Sequence, residues 1–352
     1  MGKLLHQNLS GKNCFYCFCK SKVIIFLFFI SLISQEIKSQ NLVFANTVSN
    51  ESYTTDSNLA IDSDLITRAR VRASSGIAIG IGAYSGHIEL EFPTMLPANT
   101  TTYVKIETED NLLDVLLGGE LGGLLSDVLG VVILGNQEFT VEAKNISTVV
   151  LDGNSQIDYD FAGPRLKVVV DGFNNTYLMI TPSQSYNRIR ITDRVGSLIG
   201  LGNTKDLWVY DAFSYDAPSE CGSASYTSYS GTGLTLDLLT LGGAGVQNPN
   251  HVIDNDLTTY SRLSLGIIAV AGSIEQSVYF EGLSNSSDSF IVRLKVDPAL
   301  LALGLANNVE LIAYNGPNVV QTVSLVSLLN LDLLTALQGN QVASYLLHLI
   351  SP

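Results

Sequence analysis

Apolar and polar residues alternate over short stretches along most of the chain. His87-Ile88-Glu89-Leu90-Glu91-Phe92 and Tyr186-Asn187-Arg188-Ile189-Arg190-Ile191 place apolar side chains at every second position. A period of two puts those side chains on one face of a strand. Leu207-Trp208-Val209-Tyr210 and Ser277-Val278-Tyr279-Phe280 read as strands as well. The runs are rich in Val, Ile, Tyr and Thr and are broken by Gly, Asn, Asp and Pro, which favours an antiparallel sandwich. No regular alternation of strand and helix is visible, so a parallel α/β fold is not expected.

Two segments depart from this pattern. The run 23–33 (VIIFLFFISLI) is continuously apolar and follows Lys3, Lys12, Lys20 and Lys22. A basic stretch before a short apolar core reads as a signal peptide, and Ile37-Lys38-Ser39 before Gln40 is a suitable cleavage site. An uncleaved anchor is the alternative reading. The segment 112–135 is rich in Gly and Leu but carries Asp114, Glu120 and Asp127. Charges in lipid cost a few kcal/mol each and glycine weakens helices, so a buried loop with short helical turns is expected, and no membrane span after signal removal.

The chain also repeats itself. Ile61-Asp62-Ser63-Asp64-Leu65-Ile66-Thr67 reads against Ile253-Asp254-Asn255-Asp256-Leu257-Thr258-Thr259, 192 positions later. Both copies share the pattern I-D-x-D-L-x-T, then a Gly-rich apolar stretch, then an alternating strand. Further on, Phe139 to Asn145 matches Val309 to Asn315 at a spacing of 170. The fall in spacing places an insertion of roughly twenty residues in the first copy, over 112–135, as surface loops tolerate. The first copy continues through Arg188 to Tyr210, and nothing comparable follows in the second. The expected fold is all-β, with two tandem antiparallel β-sandwich (jelly-roll-like) domains, the second truncated at its C-terminal end. The expected boundaries are a signal peptide over 1–39, a first module over 40–216, a linker over 217–232 (Pro, Gly and Ser dominate its start) and a second module over 233–352.

Composition narrows the function. The 352 residues carry 33 Asp and Glu against 19 Lys and Arg, a formal net charge of −14. An acidic chain without a basic patch does not attract phosphate backbones, so nucleic acid is not an expected partner. Cys14, Cys17 and Cys19 precede the apolar run and leave with the signal, so Cys221 has no partner within the mature chain. Stability then rests on core burial rather than on disulfides.

The strongest candidate chemistry is the repeated turn. Asp62 and Asp64, and Asp254 and Asp256, have a spacing that can aim two carboxylates at one cation, with backbone carbonyls completing an oxygen shell suited to calcium. The competing reading is turn chemistry, in which Asp and Asn bond their own backbone. Tyr260 follows the second turn and offers an aromatic face to a sugar ring. His87, His251 and His348 are not spaced as a metal pair, and no G-x-S-x-G or H-E-x-x-H sequence occurs, so no catalytic residues are assigned.

Ile253 to Tyr260, Leu263 to Ile274 and Leu328 to Leu334 resemble a repeat of large secreted surface proteins of gliding Bacteroidota. The resemblance implies export, often by the type IX pathway, and display on the cell surface in adhesin-like roles. A wider similarity is to discoidin-type jelly-roll modules. There an Asp-Gly turn is followed by Thr-x-Trp, whereas here Asp62-Ser63 and Asp254-Asn255 stand in place of Asp-Gly and no Trp follows Thr67 or Thr259. The expected function is a non-enzymatic secreted module array, adhesin-like or structural, that binds an extracellular glycan or surface protein. A carbohydrate-binding array of a glycan-degrading system and a secreted hydrolase are the alternatives.

Overall fold

The computed structural model describes residues 42–77, 81–109, 112–118, 137–157, 160–196, 202–216, 224–232, 245–265, 272–282, 284, 289–296, 308–316, 318–328 and 342–348. The expected signal segment 1–39, Cys221, and most of the expected insertion 112–135 lie outside the described residues.

The first copy supplies β1 (Leu42–Phe44), β2 (Thr47–Ser52), β3 (Thr54–Thr55), β4 (Ala69–Ser74), β5 (Gly86–Leu96), β6 (Thr102–Thr108), β7 (Gln137–Asn145), β8 (Thr148–Asn154), β9 (Leu166–Val170), β10 (Thr176–Ile180), β11 (Tyr186–Val195) and β12 (Thr204–Tyr215). There follow β13 (Ala224–Thr232), β14 (Gly245–Gln247), β15 (Arg262–Ser264), β16 (Ser273–Phe280), β17 (Ser289–Leu294), β18 (Glu310–Asn315), β19 (Asn318–Ser324) and β20 (Ala343–His348). The protein is all-β, as the alternation predicts.

Two antiparallel sheets form a sandwich. One has five strands in the order β2-β5-β11-β7-β8. The other has nine, in the order β16-β13-β9-β10-β6-β12-β4-β3, with β1 also on β12. Neighbouring strands are mostly not consecutive in sequence, so the chain crosses repeatedly between the sheets, as in jelly rolls. The alternating residues meet between the two sheets. Ile88, Leu90, Phe139, Val141, Ile189 and Ile191 come from the five-stranded sheet. Val71, Val104, Ile106, Leu178, Leu207 and Val209 face them from the larger one. Each such side chain, fully buried, contributes on the order of 1.5–3 kcal/mol. The short helix Leu112–Leu117 opens the expected insertion and sends Leu112, Leu113 and Leu117 into this core. Among the described residues no helix is long and apolar enough to cross a membrane.

The expected linker 217–232 is a strand over its last part. β13 pairs with β16 along its length and meets β9 at Thr227↔Val170. Its Ser, Thr and Gly content hides an alternation. Tyr226 stacks on Tyr103 with ring centroids 4.4 Å apart, while Tyr229 packs against the main core. The first copy's sheet therefore continues into strands of the second copy.

The repeat is written into the strand pairing. Thr54↔Val71 and Thr55↔Arg70 in β3–β4 recur as Val246↔Leu263 and Gln247↔Arg262 in β14–β15. Ala143↔Leu151, Lys144↔Val149 and Asn145↔Thr148 in β7–β8 recur as Ala313↔Gln321, Tyr314↔Val319 and Asn315↔Asn318 in β18–β19. Even the bulge falls at the same place, between Ala143 and Lys144 and between Ala313 and Tyr314. Conserving a bulge conserves the local twist as well as the pairing. These pairs keep the 192- and 170-residue spacings read from the sequence.

Candidate functional site

Each copy of I-D-x-D-L-x-T follows a short 3₁₀ turn, Ser57–Ala60 in the first and Pro249–Val252 in the second. Asp56 and Asn248 enter these turns in the left-handed conformation, at φ 57° and 50°. Ser63 and Asn255 repeat it inside the motif, at φ 65° and 62°. Asn tolerates that region better than most residues because its side chain bonds locally.

The bonding of the two turns is the same. The Asp64 N–H donates to Asp62 Oδ1 at 3.0 Å, and the Asp256 N–H to Asp254 Oδ1 at 2.9 Å. The Ile66 N–H donates to Asp64 Oδ1 at 2.9 Å, and the Thr258 N–H to Asp256 Oδ1 at 2.8 Å. The threonine hydroxyls close both loops, Thr67 on Asp62 Oδ2 at 2.9 Å and Thr259 on Asp254 Oδ2 at 2.7 Å. Asp62, Asp64, Asp254 and Asp256 thus hold backbone, as the turn-chemistry reading requires. The invariant Thr has its own reason: its hydroxyl is the strap. Bonds from Thr258 hold the Asp256 carboxyl below its usual range.

What surrounds the two turns differs. The first folds over the outer face of the nine-stranded sheet. There Leu65 packs against the cluster of Tyr103, Tyr177, Phe213 and Tyr226, and Lys105 Nζ donates to the Leu65 carbonyl at 2.9 Å. In the second turn Arg293 Nη1 reaches the Leu257 carbonyl at 3.4 Å, but the Leu257 side chain is 75% exposed. That turn seats on the β9–β10 connection. Gly172 has no side chain because a Cβ there would lie 2.9 Å from the Ile253 carbonyl oxygen.

The first turn has a third carboxylate that sequence reasoning missed. Asp211 on β12 is fully buried, and neither of its oxygens has a hydrogen-bond partner of good geometry. It lies against Asp62 and the backbone of Ser63 and Asp64. Burial, together with the Asp62 charge, pushes its carboxyl up to about 7, against the pull of those backbone groups. The β12 register shifts between Val209 and Ala212 against β6, and this bulge turns Asp211 to the loop. The available signal was a charged residue interrupting the apolar run from Leu207 to Phe213. Among the described residues no three or more His, Cys, Asp or Glu side chains converge as a metal-binding group.

Tyr260 is 71% exposed beyond the second turn. Its counterpart in the first copy, 192 positions earlier, is Arg68. The Arg68 guanidinium lies 4.6 Å over the Trp208 ring and also bonds Glu107 and the Tyr210 hydroxyl. Next to it opens a polar cleft of about 300 Å³, lined by Lys105, Glu107, Asp114, Asn174, Asn175 and Tyr210 among others. Burial raises the Asp114 carboxyl above its ordinary value. His87 Nε2 meets Asn50 Oδ1 at 2.5 Å, and His251 forms part of the second 3₁₀ turn. The His348 side chain lies outside the described residues.

No protein-family model, curated protein or solved structure matches this chain.

Proposed function

We propose that this chain is a non-catalytic, secreted module array that binds an extracellular glycan or surface protein at the cell surface, in an adhesin-like role. The observation that carries the reading is the duplicated turn. Its carboxylates make the same backbone bonds in both copies, which gives them an architectural role that needs no catalysis. The connections beside the turns project apolar tips, Phe173 at 92% exposed and Tyr260 at 71%. Connecting segments carried on a rigid sandwich are where binding residues concentrate. The test is a glycan array and a panel of isolated envelope proteins probed with the labelled secreted chain. Retention without turnover is expected, and release of sugar or peptide from any of them would overturn the reading.

A second reading, a carbohydrate-binding module, has the cleft in its favour. Amides and carboxylates beside aromatic rings are what sugar hydroxyls and ring faces require. Under this reading Tyr210→Ala abolishes sugar retention while Tyr260→Ala leaves it. Loss with Tyr260→Ala alone would move the site to the second turn.

Calcium suits the first turn. The buried Asp211 carboxylate lies against Asp62, and two close carboxylates are oxygen donors of the kind that ion takes. Asp62 and Asp211 would hold it, and it would supply the charge that keeps the buried Asp211 ionised. Millimolar calcium should raise the melting temperature of the wild type and not that of Asp211→Asn. An EDTA titration that leaves the wild-type melting temperature in place sinks the assignment.

A further inference from the structure

We propose that Tyr53 and Tyr84 are an oxidative modification site, at which a one-electron oxidant of the peroxidase and hydrogen peroxide class joins the two rings as dityrosine. The rings stack on each other with centroids 4.0 Å apart and planes 21° from parallel. Carbons of two rings held so closely are already in van der Waals contact. Tyr53 is 57% exposed and Tyr84 half-buried, so an oxidant reaches the pair from solvent. The inference goes beyond the binding role, and an exported chain meets the oxidising exterior that the chemistry needs.

Backbone pairing brings the two residues together. Tyr53 lies between β2 and β3, and Tyr84 precedes β5. Both hang on one edge of β4, whose other edge belongs to β12. The Arg72 N–H donates to the Tyr53 carbonyl at 3.0 Å. Ser74 and Tyr84 exchange both backbone bonds, at 2.9 and 3.0 Å. Tyr53 has φ 49°, in the left-handed region that a bulky side chain rarely enters. Strain of this kind persists only where the surrounding structure imposes it. Here it accompanies an exposed aromatic contact rather than a buried one.

A second stacked pair supplies the contrast. Tyr103 and Tyr226 have centroids 4.4 Å apart at 16°, but both are buried, and burial raises their phenols above the ordinary range. Taking an electron from a phenol takes its proton too, which burial opposes there. At Tyr53 and Tyr84 solvent is at hand to receive it. One hydrogen peroxide removes one hydrogen atom from each phenol and leaves as two waters. The two phenoxyl radicals couple through ring carbons ortho to oxygen, forming one C–C bond. Those carbons then release their hydrogens as protons while each oxygen regains one, and both rings are aromatic again. β2 belongs to the five-stranded sheet and β3 to the nine-stranded one, so the new bond staples the chain where it passes between them. A cross-link of this kind restrains the unfolded chain.

The probe is a heme peroxidase with limiting hydrogen peroxide, acting on the purified full chain at low concentration. Expected is a monomer two hydrogen atoms lighter, with dityrosine fluorescence and a cross-linked peptide that joins Tyr53 to Tyr84. Tyr53→Phe and Tyr84→Phe should each abolish that peptide, whereas Tyr226→Phe should keep it. Phe preserves the ring, and an unchanged near-ultraviolet circular dichroism spectrum certifies folding. The cross-linked chain should also unfold at a higher urea concentration than the untreated one. Intramolecular cross-linking that persists in Tyr53→Phe, or that joins other tyrosines in preference, overturns the site. An unreactive wild type overturns it too, and an unchanged urea midpoint overturns its role as a staple.

Discussion

Replacing Lys144 with Met should lower the free energy of unfolding by about 3 kcal/mol. Lys144 on β7 and Glu89 on β5 flank β11 on the outer face of the five-stranded sheet, and both are nearly buried. Lys144 Nζ donates to Glu89 Oε2 at 2.8 Å, and Ser49 Oγ donates to Oε1 at 2.8 Å. Arg188 on β11 lies 3.5 Å from the same carboxylate. Burial by itself would push the Glu89 carboxyl up. The Lys144 and Ser49 hydrogen bonds and the two nearby cations outweigh it, and the net position is below the usual range. Glu89 therefore keeps its charge at neutral pH. Taking Lys144 away leaves that charge in a site with little water, and Arg188 offsets only part of the loss. The penalty belongs to the stranded anion, not to the pair. Lys144→Met combined with Glu89→Leu should thus recover most of the stability. Urea denaturation of the three variants decides the matter. A single variant within 1 kcal/mol of wild type would mean that the pair behaves as an exposed one.

Stability should also fall as pH rises from about 4 to about 8, with Asp193 a main cause and Asp211 adding to it up to about pH 7. This residue on β11 is fully buried. Its Oδ1 accepts from Gln137 Nε2 at 3.0 Å, while Oδ2 and Gln137 Oε1 have no partner. Burial pushes the carboxyl up to about 8, with help from the Asp206 and Glu109 charges and against the pull of Gln137 and the Arg194 backbone. An unfolded Asp titrates near 4, about its model value. Between these two values Asp193 holds a proton in the folded chain that it lacks in the unfolded chain, so each step up in pH favours unfolding. The slope is on the order of 1 kcal/mol per pH unit. A protonated Asp193 has a hydroxyl to donate, and Gln137 Oε1 is an acceptor in want of one. Asp193→Asn keeps a donor and removes the titration. Its denaturation midpoint should change less between pH 5 and pH 8 than that of wild type. Equal pH dependence in the two proteins would exclude Asp193 as the source. Glu89 acts with the opposite sign, since its lowered carboxyl adds stability that disappears only on acidification.

Much of this was legible before any coordinate. Alternation at positions such as Ile88/Leu90 and Ile189/Ile191 depends only on the two-residue period of a strand, so all-β character and the core faces follow from local sequence. The I-D-x-D-L-x-T turn was equally readable, because Asp, Asn and Thr bond backbone only two to five residues away. The same locality let the 192- and 170-residue spacings carry over into strand register.

Other features depended on residues far apart in the chain. Asp211 faces Asp62 only because a bulge in β12 rotates it onto a loop some 150 positions earlier. The Ser- and Gly-rich segment before residue 232 looked like a linker, yet Tyr226 and Tyr229 find aromatic and apolar partners on both faces of the first copy's sheet, and burial overrides composition. The division into copies, the turn and the strand faces belong to the sequence alone. Which strands become neighbours was decided by tertiary structure, because joining β5 to β7 or β4 to β6 needs a third strand brought from elsewhere in the chain. That is why the first copy closes into a sandwich: β11 and β12 bridge strands that lie far from them in the chain.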